Sequence, residues 1–499
     1  MICNMKKAAF DSKKYLKIQR ENILKRIQKF GDKLYLEFGG KLFDDYHASR
    51  VLPGFEPDLK LQMLLGIKDK AEVIIVVNAN DINSNKMRSD IGTTYQEEVF
   101  RLIDAYKEVG LFVSSIVISF YQELPNVLEF EQILKNNNIP VYKHYKINGY
   151  PQNIPLIVSS EGLGKNEYVK TTRPLVVVTA PGPGSGKMAT CLSQIYQENK
   201  NGIRAGYAKY ETFPVWNVPL NHPLNLAYET ATIDLNDVNM IDPYHLEAYG
   251  KTAVNYNRDV EVFPLLKAIF EKIYGVSPYN SPTDMGVNMV GLAIADEEAV
   301  IKASKKEMIR RYYDTRVKIF LGKLPQESLE KMEMLLNKAN VDLSERKCVA
   351  KALETQEIEN EPSAAIELAN GKVVVGHRSN VLGASAAMLL NALKSLAKID
   401  KGLYLLSPSV INPMCNLKEN YLHKQFSRLR AEEILLALSI QALNNPLAEL
   451  ALKQLPKLKG CEMHSSTMLS QVDLTTMKRL GINVTEEPAN YQKKLYYKG

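Results

Sequence analysis

The chain lacks any apolar run near the ~18–20 residues that cross a bilayer. Its richest stretch, residues 434–443, reads as a buried helix. Cysteine is scarce: Cys3, Cys191, Cys348, Cys415 and Cys461 are scattered, and no two stand as C-x-x-C. That excludes a disulfide framework and a cysteine-built zinc centre, and fits reduced thiols in the cytoplasm. H-E-x-x-H is absent, so zinc-peptidase chemistry has no support and no metal site is expected. The first residues carry no signal-peptide core. Internal repeats and low-complexity segments are missing too. Net basic charge is lacking outside the start of the chain. Residues 1–30 hold nine basic side chains against Asp11 and Glu21, which accounts for the whole net charge of +7. A broad nucleic-acid surface is therefore not expected. The basic segment reads as a helix over 11–30 whose apolar stripe, Leu16, Ile23, Ile27 and Phe30, packs on the first domain. Loss of residues 1–10 should be tolerated and loss of 1–30 should not.

What is present is an ordinary globular composition, 45% hydrophobic and 24% charged, over 499 residues, enough for several cores. Four regions follow from the patterning. Residues 1–165 alternate strand and helix, with β-branched runs at 71–78 and 111–119 of the kind that fill parallel sheets. Residues 166–295 open with a strand and a glycine loop, then become rich in Asn, Pro, Tyr and His. Residues 296–360 are helical. Residues 361–499 return to α/β, with strands expected at 372–376 and 404–407. The fold class is multi-domain α/β, with Rossmann-like or P-loop-like parallel sheets, a helical insertion and a smaller C-terminal α/β subdomain.

The chemistry concentrates at Val176-Val-Val-Thr-Ala-Pro-Gly-Pro-Gly-Ser-Gly-Lys-Met-Ala-Thr190. A β-branched strand runs into Gly182, Gly184, Ser185 and Gly186, and Lys187 opens a helix. Such a turn leaves backbone N–H groups aimed at an anion, aided by the helix dipole, and Lys187 adds a mobile charge for phosphate. The segment resembles the Walker A loop of nucleotide-binding proteins, with two departures. Pro181 holds the place of the first glycine, and Met188 replaces the hydroxyl that ligates Mg²⁺; Ser185 or Thr190 would have to compensate. ATP or another nucleotide is the cofactor expected, with binding favoured over Mg²⁺-dependent hydrolysis. A Walker B candidate at Val238-Asn-Met-Ile-Asp242 is interrupted by Asn239.

The following loops gather reactive groups. Asp242, His245 and Glu211 are the candidates for proton transfer. Lys209, Asn217, His222, Arg258 and Asp284 are the candidates for substrate contact. In the last region Arg378, beside a helix start, could hold a carboxylate or phosphate; simple capping is the bland alternative. Cys461-Glu-Met-His464-Ser-Ser466 is too compact to carry nucleophilic catalysis.

Long segments carry a family resemblance. They are Lys6-Lys-Ala-Ala-Phe-Asp-Ser-Lys-Lys-Tyr15, Leu36-Glu-Phe-Gly-Gly-Lys-Leu-Phe-Asp-Asp-Tyr-His-Ala-Ser-Arg50, the glycine loop, Met240-Ile-Asp-Pro-Tyr-His-Leu-Glu-Ala-Tyr-Gly250 and Ser281-Pro-Thr-Asp-Met-Gly-Val-Asn288. Over essentially its whole length the chain resembles a bacterial uncharacterised family classified as a domain of unknown function. Some members carry an ATP-dependent peptidase label, which nothing in these residues supports. The resemblance implies a cytoplasmic α/β protein with a helical insertion and a C-terminal subdomain, and oligomeric assembly fits it. It transfers no catalytic residues. The expected activity is an enzyme, a transferase or hydrolase, acting on a small phosphorylated ligand or nucleotide, in a homo-oligomer without membrane or nucleic-acid partners. The alternatives are a non-catalytic nucleotide or metabolite sensor, and a protein- or RNA-binding factor using the basic helix.

Overall fold

The computed structural model describes residues 8–31, 33–40, 42–43, 45–87, 93–424 and 427–489. The chain divides into two compact units, Met1–Ser304 and Lys305–Gly499.

Unit one is built on six strands: β1 (Leu34–Phe38), β2 (Ala71–Asn78), β3 (Phe112–Ser119), β4 (Val141–Lys143), β5 (Leu175–Thr179) and β6 (Gly206–Tyr210). Every pairing is parallel, in the order β4-β3-β2-β5-β1-β6. The β-branched runs of β2 and β5 are buried along nearly their whole length, as central parallel strands require. The boundary expected near residue 165 falls inside this sheet, because β5 inserts between β2 and β1. Helices Tyr95–Glu108, Pro125–Asn136, Lys187–Lys200 and Asn257–Tyr274 contribute apolar faces to the same core.

Helix Ser12–Lys29 starts at Asp11, whose carboxylate accepts the Lys14 N–H at 2.9 Å. Tyr15, Gln19, Ile23 and Ile27 form its buried stripe, with Phe30 buried just beyond and Leu16 only partly covered. Its two arginines serve the fold. Arg20 donates to the Met63 carbonyl, and Arg26 to those of Asp284 and Gly286. Residues 1–7 lie outside the described residues, but Ala9 and Phe10 are buried and Ala9 O accepts the Ala295 N–H. The stretch expected from sequence to be dispensable, 1–10, thus ends in two buried residues.

A two-stranded antiparallel ribbon, β7 (Asn239–Ile241) with β8 (Val254–Tyr256), stands apart from the main sheet. The Walker B candidate lies in this ribbon. It is therefore not a strand beside β5, where that motif would have to sit.

Unit two carries a mixed sheet, β9 (Ser363–Glu367), β10 (Val373–His377), β11 (Glu462–Ser465) and β12 (Asn483–Glu486), in the order β10-β9-β11-β12. Only β11–β12 is parallel. Its core joins this sheet to helices Ala384–Ala397 and Ala431–Gln441. Helix Lys347–Glu359 packs on β9, β10 and β11, and the division after Ser304 puts most of the helical stretch in this unit. Residues 404–407 form no strand. Leu405 and Leu406 are buried in a short loop that Pro408 turns into a helix. The chain is thus an α/β protein, and no helix among the described residues is long and apolar enough to cross a membrane.

Candidate functional site

Strand β5 ends at Thr179, and a short turn leads from it into helix Lys187–Lys200. The turn needs glycine at two points. Gly184 has φ of 70° and Gly186, the helix N-cap, has φ of 88°, where a Cβ would be strained. Neighbouring strand ends hold the loop in place. Asn78, at the end of β2, donates to the Gly184 carbonyl at 3.3 Å, and Ser119, at the end of β3, donates to the Ser185 carbonyl at 2.6 Å. Among the described residues, the amide N–H groups of Gly184, Ser185, Gly186 and Lys187 engage no acceptor. Lys187 is half-buried, with no carboxylate among those residues within ion-pair distance. The loop lies where the strand order reverses: from β2 the chain proceeds outward to β3 and β4, and from β5 it proceeds past β1 to β6.

The hydroxyls expected to stand in for a magnesium ligand are engaged elsewhere. Ser185 is buried and donates to the Gly182 carbonyl at 3.1 Å. Thr190 is buried against His144 Nδ1 at 3.3 Å. Burial holds that imidazole down at about 4, only partly opposed by its bond to the Glu167 carbonyl.

Beside the loop, at the same end of the sheet, lies a knot of charge. Lys209, on β6, reaches both carboxylate oxygens of Asp259 at 2.7 Å and Glu211 at 3.2 Å. Asp259 sits in the first turn of Asn257–Tyr274, where the helix dipole favours a carboxylate. Glu37, on β1, accepts the Tyr207 hydroxyl at 2.5 Å. Loss of solvent pushes the Glu211 carboxyl up to about 7; Lys209 pulls against this, and Asp259 and Glu37 reinforce it. Lys209 is raised as well, which in a lysine favours the charged form. Burial alone would lower its pKa, but Asp259, Glu211 and Glu37 raise it and keep it charged. One residue pair therefore holds a fixed cation beside an acid that titrates near neutrality. Cys191, one turn into the loop's helix, links the two features: burial and Glu37 push its thiol up while Lys187 pulls it down.

The remaining sequence candidates fall into other groupings. Asp242 is fully buried as the N-cap of helix Pro243–Tyr249. It accepts the His245 N–H at 3.0 Å, the Thr283 N–H at 3.1 Å and the Thr283 hydroxyl at 2.6 Å. His245 Nδ1 lies 3.1 Å from Ser281 Oγ, itself buried and accepting the Asp284 N–H. Asp284 accepts the Tyr249 hydroxyl at 2.8 Å. These three expected residues form one capping network. It abuts the charge knot through the backbone, where the Val287 N–H reaches the Lys209 carbonyl at 3.0 Å. His222 caps helix Pro223–Ala231 through Nδ1 and approaches Glu297 at 3.4 Å. Arg258 forks onto buried Asp237 at 2.7 and 2.8 Å. Asn217 is exposed. Arg378 lies in unit two, paired with Glu361 at 2.5 Å. Glu37 and Tyr207 were not foreseen. The available signal was a carboxylate closing an otherwise apolar strand, Leu-Tyr-Leu-Glu-Phe. Among the described residues no group of His, Cys, Asp and Glu is arranged to hold a metal ion.

These elements define an α/β protein whose parallel sheet carries, at its carboxyl end, an open glycine turn and a half-buried acid–lysine knot. Comparison with known proteins gives the family. Residues 8–340 match the domain of unknown function DUF1846, N-terminal, and residues 344–497 match its C-terminal counterpart. The chain is 53% identical over 494 residues to the UPF0371 protein SUB1165 of Streptococcus uberis, covering 99% of this chain and all of that one. It is 52% identical, over the same spans, to the UPF0371 proteins SpyM50764 and SpyM3_1021 of Streptococcus pyogenes serotypes M5 and M3. The chain belongs to this uncharacterised bacterial family.

Proposed function

We propose that the protein is an enzyme acting on a small phosphorylated molecule or nucleotide, bound by its phosphate at the 182–187 loop and processed beside Lys209. The observation that carries this reading is the set of unengaged N–H groups at Gly184–Gly186 and Lys187, opening a helix where the strand order reverses. Open parallel sheets bind ligands at such places, and helix starts of this form hold phosphate. Lys187 supplies the countercharge. Lys209 stays cationic and stabilises negative charge developing on the reacting group. Glu211 exchanges the proton, since its raised pKa leaves both of its forms populated near neutrality. Asp259 and Glu37 raise the proton affinity of both groups, which keeps Lys209 charged and makes Glu211 a weaker acid. Asp242, His245 and Asp284 shape the adjoining wall.

Met188 favours a second reading. It packs against the core where a magnesium-ligating hydroxyl would otherwise stand, which suits a sensor that binds without turnover. Titration and turnover separate the two. Inorganic phosphate, pyrophosphate, AMP and ATP are titrated calorimetrically into the wild type and Lys187→Ala, and product formation is followed for the wild type and Glu211→Gln. Lys187→Ala should weaken the bound member of the panel by about 10–100-fold, as expected for loss of a charge-assisted contact. Glu211→Gln should lower turnover by about 100-fold or more with little change in binding. Binding without turnover would select the sensor, and no difference between wild type and Lys187→Ala would remove the loop from the site.

A further inference from the structure

Among its described residues, the C-terminal unit carries an apolar surface that the rest of its fold leaves exposed. Helix Ala431–Gln441 buries Ala431, Ile434, Ala437 and Leu438 on one side. Its opposite side should then be polar. Instead Leu436, Ile440 and Leu443 follow one another at helical spacing and are each more than half exposed. From Ile434 to Ala448 the sequence contains no charged residue at all. The segment packed beside it makes the same point. Helix Pro408–Asn416 and the turn Leu417–Tyr421 that extends it bury no residue, although Leu417, Tyr421 and Leu422 are large and apolar and each more than half exposed. Lys418 joins the two segments through Glu433 at 2.7 Å, so their exposed side chains belong to one region. Isolated apolar side chains on a surface need no explanation, but a continuous patch rarely stays bare in a monomer.

We propose that this surface is the contact between two copies of the chain. Two features select a second copy over other occupants. The first is area. Side chains of this size at this exposure each offer on the order of 100 Å², so the six together offer roughly 600 Å² per partner, which over both partners is above the roughly 1,000 Å² in total that a specific interface must clear. The second is charge. The rim carries both signs, Lys424 and Arg430 against Glu419 and Glu432, all exposed. A rim of mixed sign can be self-complementary across a two-fold axis, whereas a rim of one sign repels its own copy. An anionic membrane would call for a basic rim, and a strongly charged protein partner for a rim of one sign. The stripe Leu436, Ile440 and Leu443 crosses its own copy antiparallel, burying the uncharged stretch that begins at Ile434 as in obligate homodimers.

Sedimentation velocity of the full chain over a concentration series tests this. The wild type should sediment as a dimer at micromolar concentration. Leu436→Glu/Ile440→Glu should sediment as a monomer, its dimerisation weakened at least 100-fold, with an unchanged circular dichroism spectrum. Val276→Glu, at an exposed apolar residue of unit one, should leave the dimer intact. Should the double variant not fold, Ile440→Cys under mild oxidation gives an independent reading, and the proposal requires a covalent dimer in which the introduced thiols of the two copies are joined to each other. A wild type that stays monomeric at about 100 µM would overturn the proposal, whether another segment of the chain or a different protein covers the patch. So would a double variant as dimeric as the wild type, or Ile440→Cys that fails to cross-link.

Discussion

At the scale of the residue, the account turns on Glu211 and its neighbours. The sequence singles out both Lys209 and Glu211, because they open the run of reactive side chains that follows the glycine loop. What a single sequence does not display is their environment. Asp259 arrives from 50 residues away and Glu37 from the adjacent strand, and together they decide which group keeps its proton. Asp242 illustrates the converse. A carboxylate before Pro-Tyr-His is equally compatible with catalysis and with helix capping, and the three hydrogen bonds it accepts give it the capping role. The raised Glu211 carboxyl has a consequence for stability. Its pKa in the fold, about 7, lies above its unfolded value, so the unfolded chain releases this proton first as pH rises. The stabilisation is complete below the ordinary carboxyl range and is lost as pH climbs through about 7. Thermal melts at pH 5, 6, 7 and 8 should show the wild type losing stability relative to Glu211→Gln across that interval. Parallel curves would mean that Glu211 ionises as an ordinary surface carboxylate does.

At the scale of the element, local pattern was informative wherever one segment made its own case. The strands at 71–78 and 175–179 and the basic helix after Asp11 are legible because β-branched runs, spacing and caps act over a few residues. The short strands of unit two, Ser363–Glu367, Glu462–Ser465 and Asn483–Glu486, left no comparable trace. These segments lack the β-branched runs that mark 71–78 and 175–179, and one of them is hidden in the Cys461–Ser466 stretch, whose residue types draw attention away from a strand. The basic helix yields a sharper expectation than its charge does. Its arginines are spent on carbonyls 43 and 258 residues away, and its buried stripe is part of the main core. Removing residues 1–7 should leave the melting temperature within a few degrees of the wild type. Removing 1–30 should strip the core of Ile23, Ile27 and Phe30, each worth about 1.5–3 kcal/mol, and give aggregated protein on gel filtration. A soluble, cooperatively melting 31–499 chain would contradict the packing role.

At the scale of the whole molecule, the strand order was beyond the reach of the sequence. Nothing local announces that β5 slots between β2 and β1, since the pairing partners are set by apolar surfaces about 100 and 140 residues away in the chain. Yet this order is what places the glycine turn where the chain's direction across the sheet reverses, and what sets Asn78 and Ser119 around it. The central claim is that phosphate is held there, with the rest of the ligand lying toward Lys209. A crystal of the full chain soaked with pyrophosphate, AMP or ATP tests it most directly. The account predicts a phosphate group within about 3 Å of the N–H groups of residues 184–187, with Lys187 Nζ on the same oxygens and any remaining ligand extending over β1 toward Glu211. Ligand density at any other site, with the glycine turn left bare at saturating ligand, would contradict it.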